Sequence, residues 1–559
     1  MREPHDRYAT TLHVHNLSFL KSKSIQVAMI SLTLLNASSV LAANVEDIEA
    51  GRRIYQEGIL SSGQSLVGQR SGPGEVEGKI AACINCHRKS GMGSLEGNIE
   101  IPPVTGRFLF ATEDRPIALL DARAAKNITR PRASYSEEAL AKSIREGIKV
   151  DGSPMDSLMP RYALNDQDLK ALSAYLHQLS IELSPGVKED SLKIATIIAP
   201  GVDIKKKTVM LEMMRAAFNQ RNASQQNISG RMRSPIDAIP HTLRNWQLIV
   251  WELQGTPDTW EAQLSEFNRK DPVFAVISGL SNDTWAPIDQ FCEHEQLPCV
   301  LPSTRLPATS PGYYSLYFSK GVMLEAEVLS KHFQDLANKA PKRLVQIYRK
   351  DNVSQSAAQS LTQALKGQQI TIEDRIVADQ SNSDLTRLFA GLKPTDALML
   401  WLNPVDLITL SKAAPKKLAP NIYASAIMID GQSQNIPELW HAKLQLIYPY
   451  ELGQKRQTNT NNLTNWLKTW QLPNLDPIFQ SEVFFNLLLL TDLTSQMLDN
   501  LYRDYLIERA EDMLSWGANV SAYPHLSLAP GQRFASKGAY IARFNKDGTL
   551  SPETPWLVP

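Results

Sequence analysis

Cys83, Cys86 and His87 stand in the order C-x-x-C-H within "AACINCHRK", and no other stretch of the chain limits its fold as tightly. This is the attachment pattern of a c-type haem. The two thiols form thioethers with the haem vinyl groups, and the imidazole that follows is placed to bind iron. One covalently held haem c is therefore expected, carried by Cys83 and Cys86 with His87 as an iron ligand. The chain has 559 residues, enough for several domains at roughly 100–200 residues each, so most of it serves something other than enclosing one haem.

The N-terminus predicts where the chain works. Arg2, Arg7, Lys21 and Lys23 precede or open an uncharged run, "SIQVAMISLTLLNASSVLA", which ends with Val40 and Ala42 at the small-residue positions of a signal-peptidase site. Residues 1–42 read as a signal peptide cleaved after Ala42, giving an exported, soluble periplasmic protein. No later segment has the roughly 20 uninterrupted apolar residues of a spanning helix, so no membrane span is expected after cleavage. Lys+Arg and Asp+Glu balance at 58 each, so no global field points to nucleic acid as a partner.

Downstream of the haem motif, "DGSPMDSLMPRYALNDQDLKALSAYLHQL" offers Met155 and Met159 as the second axial ligand. Met159 precedes Pro160, follows a Gly-Ser-Pro loop, and is preferred to Met155 and Met92. Asn165 can cap a helix over 166–179, with acids in its first turn and Leu169, Leu172, Leu176 and Leu179 at helical spacing. The order of helix, C-x-x-C-H, Pro-Gly loop, helix, Met-Pro and final helix resembles a class I monohaem cytochrome c over residues 43–182, an all-α domain. The resemblance implies Met159 as distal ligand, Arg161 as a nearby polar group, and Pro102 or Pro103 as the carbonyl that holds His87. It also implies a close crossing of the first and last helices at Gly51 and Tyr55, near Tyr175. The Gly-rich stretch from Ser61 to Gly78 departs from the family by lengthening the gap before the haem motif. His/Met ligation raises a haem potential and leaves no open iron position, which favours electron transfer.

After a linker over 183–190 the pattern changes. "LKIATIIAP" reads as a strand buried on both faces, and "KTVMLEMMRAAFNQRN" as a helix. The alternation continues through "WQLIVWEL", "TWEAQLSEFNRK", "PVFAVISGL", "DTWAPIDQFCEHE" and "LPCVLPS". A second series runs from "RLVQIYRK" to "PVDLITLSKAA", followed by a long apolar helix from Pro477 to Leu501. Strands alternating with helices predict parallel sheets covered on both faces, here two lobes. Residues 191–559 resemble a type I periplasmic binding protein of the branched-chain amino-acid-binding class, most specifically from "FAVISGLSNDTWAPIDQFCEHEQLPCVLPSTRLPATSPGYYSLYFSK" onward, with a hinge near 318–322. The chain as a whole is thus multidomain: an all-α cytochrome c domain followed by a two-lobed α/β module.

Ligands of open parallel sheets sit beyond the carboxyl ends of strands, where loops open into helices. The resemblance then points to a small organic ligand in the inter-lobe cleft, near Ser281, Asn282, Asp283, Thr284 and Trp285, and near Ser303, Thr304 and Arg305. On the second lobe it points to residues 351–355, Trp401 and Asn403, residues 425–427, and Tyr448 with Tyr450. The alternative for each is local helix capping. The family's second-lobe acidic residue has no evident counterpart, since "YASAIMIDG" is apolar up to Asp430; a neutral, aromatic or carboxylic ligand fits as well as an amino acid. Cys292 and Cys299 are expected to form a disulfide in an oxidising compartment.

Two functions follow as expectations. The first is one-electron transfer to a periplasmic redox partner, with a fused ligand-binding or docking module. The second is a ligand sensor or receptor whose haem reports or modulates binding. No GxSxG, HExxH or nucleotide-binding glycine fingerprint is present in a suitable context, so no enzyme is expected.

Overall fold

The computed structural model describes residues 45–70, 72, 74–110, 133–231, 244–378, 385–414, 421–516 and 520–559. The signal peptide read over residues 1–42 lies outside them. The described chain forms two compact units that divide between Ile181 and Glu182.

The first unit is built on a helix–helix crossing. A helix over residues 45–57 meets the helix Asp166–Gln178, whose N-terminus is capped by the Asn165 side chain accepting from the Asp168 amide. Contact is close because Gly51 carries no side chain: a Cβ there would lie 2.0 Å from the Ala171 carbonyl oxygen and 2.8 Å from Tyr175 Cβ. One turn further on, Tyr55 and Tyr175 bring their rings to 5.3 Å, as expected from the sequence. Ile54, Leu140, Ile144, Tyr162, Leu169, Leu172 and Leu176 fill the core that this crossing opens.

Helices are not the whole of this unit. Val67–Gln69 and Glu75–Glu77 pair antiparallel, and Val67–Gln69 also pairs with Arg161–Tyr162. A second small hairpin joins Ser94–Glu96 to Ile99–Ile101. The unit therefore mixes helices with short strands where an all-α fold was expected. The reason lies in the Ser61–Gly78 stretch: instead of looping freely, it folds over the segment after Met159. Gly68 pairs with Tyr162, and a Cβ on Gly68 would stand 2.7 Å from the Tyr162 ring.

The second unit holds two sheets of seven strands each among the described residues. In the first sheet the central strand Ser191–Ile198 pairs parallel with Asn245–Glu252, Ala275–Ile277 and the start of Leu280–Thr284. Cys299–Val300, Ser303–Leu306 and Ser315–Leu316 complete it, also in parallel. The second sheet runs Thr371–Ile376, Arg343–Tyr348, Ala397–Trp401, Asn421–Ser425 and Leu444–Tyr448 in parallel. Tyr540–Phe544 and Leu550–Pro552 then add antiparallel. Ala397–Trp401 and Leu444–Tyr448 are buried at every position, which explains the unbroken apolar sequence of the first and, Gln445 apart, of the second.

Each lobe is assembled from separate pieces of chain. Leaving the first sheet after Leu316, the chain enters the helix Val322–Leu336, which packs into the core of the second sheet. After Tyr448 it returns: Trp466 donates to Gln220 of the first lobe, and on the helix Pro477–Met497 Asn486 donates to Ser278 and Leu301. A third crossing leads to Tyr540–Phe544. The crossings are hydrogen-bonded to one another, Tyr317 to Arg533 and Ala535, and Glu451 to Ala522. The segment read as a linker is held by the second unit, with Ser184 N on Leu501 O and the Arg244 guanidinium on Lys188 O.

Replacing Gly51 by valine forces the first crossing apart. Overpacking of this kind costs about 1–3 kcal/mol, and should lower the melting temperature of the first unit by several degrees. An unchanged melting curve for Gly51→Val would show that the crossing does not limit stability.

Candidate functional site

The haem motif lies on the short helix Ile84–His87, which Arg88 terminates in a left-handed conformation (φ 65°). Three bonds fasten its surroundings to the core: Tyr55 Oη donates to Arg88 O at 2.7 Å, Tyr162 Oη to Ala81 O at 2.9 Å, and Ser94 Oγ to Cys86 O at 2.8 Å. His87 is buried, and its Nδ1 stands 3.0 Å from Pro102 O. Of the two prolines read from the sequence, Pro102 supplies the carbonyl. Burial lowers the imidazole pKa, and the Pro102 bond offsets this only in part. A neutral imidazole donating through Nδ1 presents Nε2 as a metal ligand.

Neither Cys83 nor Cys86 is in a disulfide. Burial pushes the Cys83 thiol up to about 12 and the Cys86 thiol up to about 11, with the Glu96 charge adding to the latter. At neutral pH neither is a thiolate, unlike the nucleophile of a redox C-x-x-C pair. Among the described residues no group of three or more His, Cys, Asp or Glu is placed to hold a metal ion. Two free thiols beside one anchored neutral imidazole fit a c-type haem, and a bare metal centre has no donor set here.

Of the three methionines weighed, Met92 is buried and Met155 is half-buried with its amide on Gly147 O at 2.8 Å. Met159 is half-buried and packs on the same core cluster as Cys83. Arg161 donates to the Met159 carbonyl, and its guanidinium lies where a side chain on Gly147 would go.

The cleft of the second unit is the other candidate site. Ser281, Asn282, Ser303 and Thr304 line it, as do Arg305 and Tyr450. Asp283 stands at its edge, accepting from Asn352 of the second lobe at 2.9 Å. Thr284 does capping work, its Oγ1 accepting from the Ala286 amide. Ile427 of the second lobe also lines the cleft, whereas Trp401, Asn403 and Tyr448 do not. Trp401 is fully buried and donates to Gln346 at 2.9 Å inside the sheet core. Asn403 caps the helix Pro404–Ala413 through the Asp406 amide. Tyr448 is buried, donating to Gly431 O and accepting from Arg456. Trp285 belongs to the first-lobe core. Cys292, on the helix Ala286–His294, and Cys299 are joined as a disulfide, with Cα atoms 6.2 Å apart in the same core.

What the sequence reading did not single out is the charge in this cleft. Lys206 Nζ lies 3.1 Å from Asp430 and 3.0 Å from Asp476, and Arg305 Nη2 lies 3.0 Å from the other Asp430 oxygen. Burial alone would raise the Asp430 carboxyl, but Arg305 and Lys206 more than reverse this and hold it below the usual range. Glu482 differs: burial raises it to about 7, although Ser303 and Tyr523 both donate to it. Lys206 and Asp476 sit at helix starts, where charged residues commonly face solvent, so no local pattern marks them.

Asp430 reaches the cleft because a buried acid organises its turn. On the helix Val322–Leu336, Glu325 accepts from Ser425 Oγ with one oxygen and from the Ile427 amide at 3.0 Å with the other. Asp430 and Gly431 then adopt left-handed conformations, φ 58° and 66°. A Cβ on Gly431 would stand 2.4 Å from Ile478 Cδ1, and its left-handed φ of 66° favours glycine at this approach.

Residues 77–180 match the family model described as Cytochrome c. No curated protein matches the chain. Solved structures similar to it include a fatty acid ABC transporter substrate-binding protein from Thermomonospora curvata, at 13% identity over 68% of this chain and 95% of that one, with a TM-score of 0.48. Another is a branched-chain amino acid transporter substrate-binding protein from Streptococcus pneumoniae in complex with isoleucine, at 12% identity, 66% and 100% coverage, and TM-score 0.47. A third is a type 1 periplasmic binding protein from Bordetella pertussis, at 14% identity, 65% and 100% coverage, and TM-score 0.47. No described helix is long and apolar enough to cross a membrane.

The buried Glu325 has a pH consequence. Burial raises its carboxyl to about 8 despite the two donors, against 4.5 for a free glutamate. Between these values the folded protein binds the extra proton, so this group's contribution to stability is greatest at the acid end. It falls as pH rises and levels off above about 8. Glu325→Gln should flatten that part of the melting-temperature profile between about pH 5 and about pH 8 relative to wild type. Parallel profiles would mean that Glu325 does not carry the proton.

Proposed function

We propose, with the cytochrome c domain of residues 77–180 as premise, that the chain is an exported c-type cytochrome for one-electron transfer with a fused small-molecule-binding module. The observation that carries the reading is His87 within C-x-x-C-H, buried and tied through Nδ1 to Pro102 O at 3.0 Å. When bound, haem c supplies a one-electron ferric/ferrous couple. Cys83 and Cys86 would hold one such group by thioether bonds. His87 would bind iron through Nε2, its ring orientation set by Pro102 and its neutral form by burial. Met159 would be the sixth ligand, its loop held by Arg161 and by the strand pairing of Gly68 with Tyr162.

A thioether in the sixth position leaves no site for an exogenous ligand, so we assign no catalysis to this centre. The electron partner would be a periplasmic redox protein. The second module offers a cleft between two lobes joined by three hydrogen-bonded crossings, an arrangement suited to a small organic ligand.

Two measurements test the reading. Haem should stay with the purified polypeptide through denaturation, one iron per chain, and dissociate in Cys83→Ser/Cys86→Ser; a wild-type chain that releases haem on denaturation would refute covalent attachment. Reduced wild type should not bind carbon monoxide, whereas Met159→Ala should bind it and show a lower midpoint potential. Carbon monoxide binding by the wild type would remove Met159 as the ligand and reopen haem catalysis.

A further inference from the structure

Asp430 occupies a seat built for a carboxylate. Its two oxygens meet two different cations of the opposite lobe, Oδ1 facing Arg305 Nη2 at 3.0 Å and Oδ2 facing Lys206 Nζ at 3.1 Å. Neither cation is on the element that carries Asp430. Lys206 starts the long helix of the first lobe, Arg305 lies on the strand Ser303–Leu306, and Asp430 ends the turn Ile427–Ile429 of the second. The buried Arg305 Nε has no hydrogen-bond partner among the described residues, so the guanidinium has donor capacity that Asp430 does not use.

The charge count favours one negative group. With Asp430 withdrawn, Lys206 keeps Asp476 at 3.0 Å, leaving one net positive charge at Arg305. Glu482 nearby already accepts from Ser303 and Tyr523 and offers no counter-charge to Arg305 among its hydrogen bonds. Phe479 lies under the Lys206 ammonium, 5.4 Å from Nζ to the ring centroid, and Ile478 packs against the turn at Gly431. The seat thus joins a cationic end to an apolar wall.

We infer that Lys206 and Arg305 form a subsite for a small monocarboxylate with an apolar body, which Asp430 closes from within as a tethered competitor. The inference rests on the ligand-binding reading of the second module and names the ligand class. A tethered group acts at an effective concentration in the millimolar range. A free carboxylate therefore binds weakly while Asp430 is present, and entry of the ligand requires the turn at 427–431 to leave the first lobe. Removing Asp430 leaves two half-buried cations short of an anion, a situation that solution carboxylates can relieve.

The test is rescue by added carboxylate. Full-length holoprotein is titrated with sodium isobutyrate and sodium acetate, against sodium chloride at equal ionic strength, and followed by calorimetry and thermal melting. Asp430→Ala should bind isobutyrate on the order of tenfold more tightly than wild type. Its melting temperature should recover with isobutyrate or acetate but not chloride. The gain should vanish in Asp430→Ala/Arg305→Gln. If Asp430→Ala does not fold, Asp430→Asn keeps the shape and removes the charge, and should show the same carboxylate-specific gain. Indifference to carboxylate in both variants, or equal rescue in the Arg305→Gln background, overturns the subsite. Neutral solutes such as isobutyramide provide the separating control. If the wild type binds them and carboxylates bind no better to the variants, the monocarboxylate assignment fails while the ligand-binding reading stands. If nothing binds wild type or variants, both fail together.

Discussion

A carboxyl group can be buried only where donors meet it or where it keeps its proton, and two such groups give the cleft its form. Glu325 lies on the helix entered after the first crossing and gathers the Ser425 hydroxyl and the Ile427 amide. The turn that follows cannot spread without breaking those bonds, and it delivers Asp430 and Gly431 to the other lobe. Glu482 does the complementary work on the helix Pro477–Met497. Ser303 ties it to the start of a first-sheet strand, and Tyr523 ties it to the third crossing. The walls of the cleft are therefore held by acids whose carboxyls burial raises, while the charge pairing between lobes is left to Lys206, Arg305 and Asp430.

Most of the architecture was legible in the sequence because it follows from periodicity. Strands such as Ala397–Trp401 are apolar at every position since both faces are covered, and helices such as Asp166–Gln178 show their cap and their leucine spacing directly. Two things escaped. The apolar run "PVFAVISGL" became two strands, because Ser278 takes a left-handed conformation (φ 57°) between Ala275–Ile277 and Leu280–Thr284. The last two strands join the second sheet antiparallel, and nothing in their short, mixed sequences distinguishes them from loop.

The cleft was legible only by half, for a geometric reason. Strand ends name the loops that open toward a ligand, and on the first lobe this placed Ser281, Asn282, Ser303, Thr304 and Arg305 correctly at the lining. On the second lobe the same rule chose Ile427 and Tyr450, which line the cleft, but also Trp401, Asn403 and Tyr448, whose side chains turn into the sheet core or cap a helix. The charged second-lobe contributor, Asp430, depends on a tertiary bond from Glu325, more than a hundred residues earlier, and local sequence cannot carry that information. In the first unit the Ser61–Gly78 insertion was visible as extra length, but its pairing with the segment after Met159 was not. Gly68 had to be seen against the Tyr162 ring before its absence of side chain acquired a meaning.

The three crossings also order events in time. The first lobe lacks the helix Pro477–Met497 until that part of the chain exists, and the second sheet lacks Tyr540–Phe544 until later still. Neither lobe can reach its final packing on a partly made polypeptide, although the helices and strands of residues 45–181 are complete long before. Made from its N-terminus, this chain therefore closes its larger module last, when its final segments arrive. Completion then depends on the arrival of the final strands.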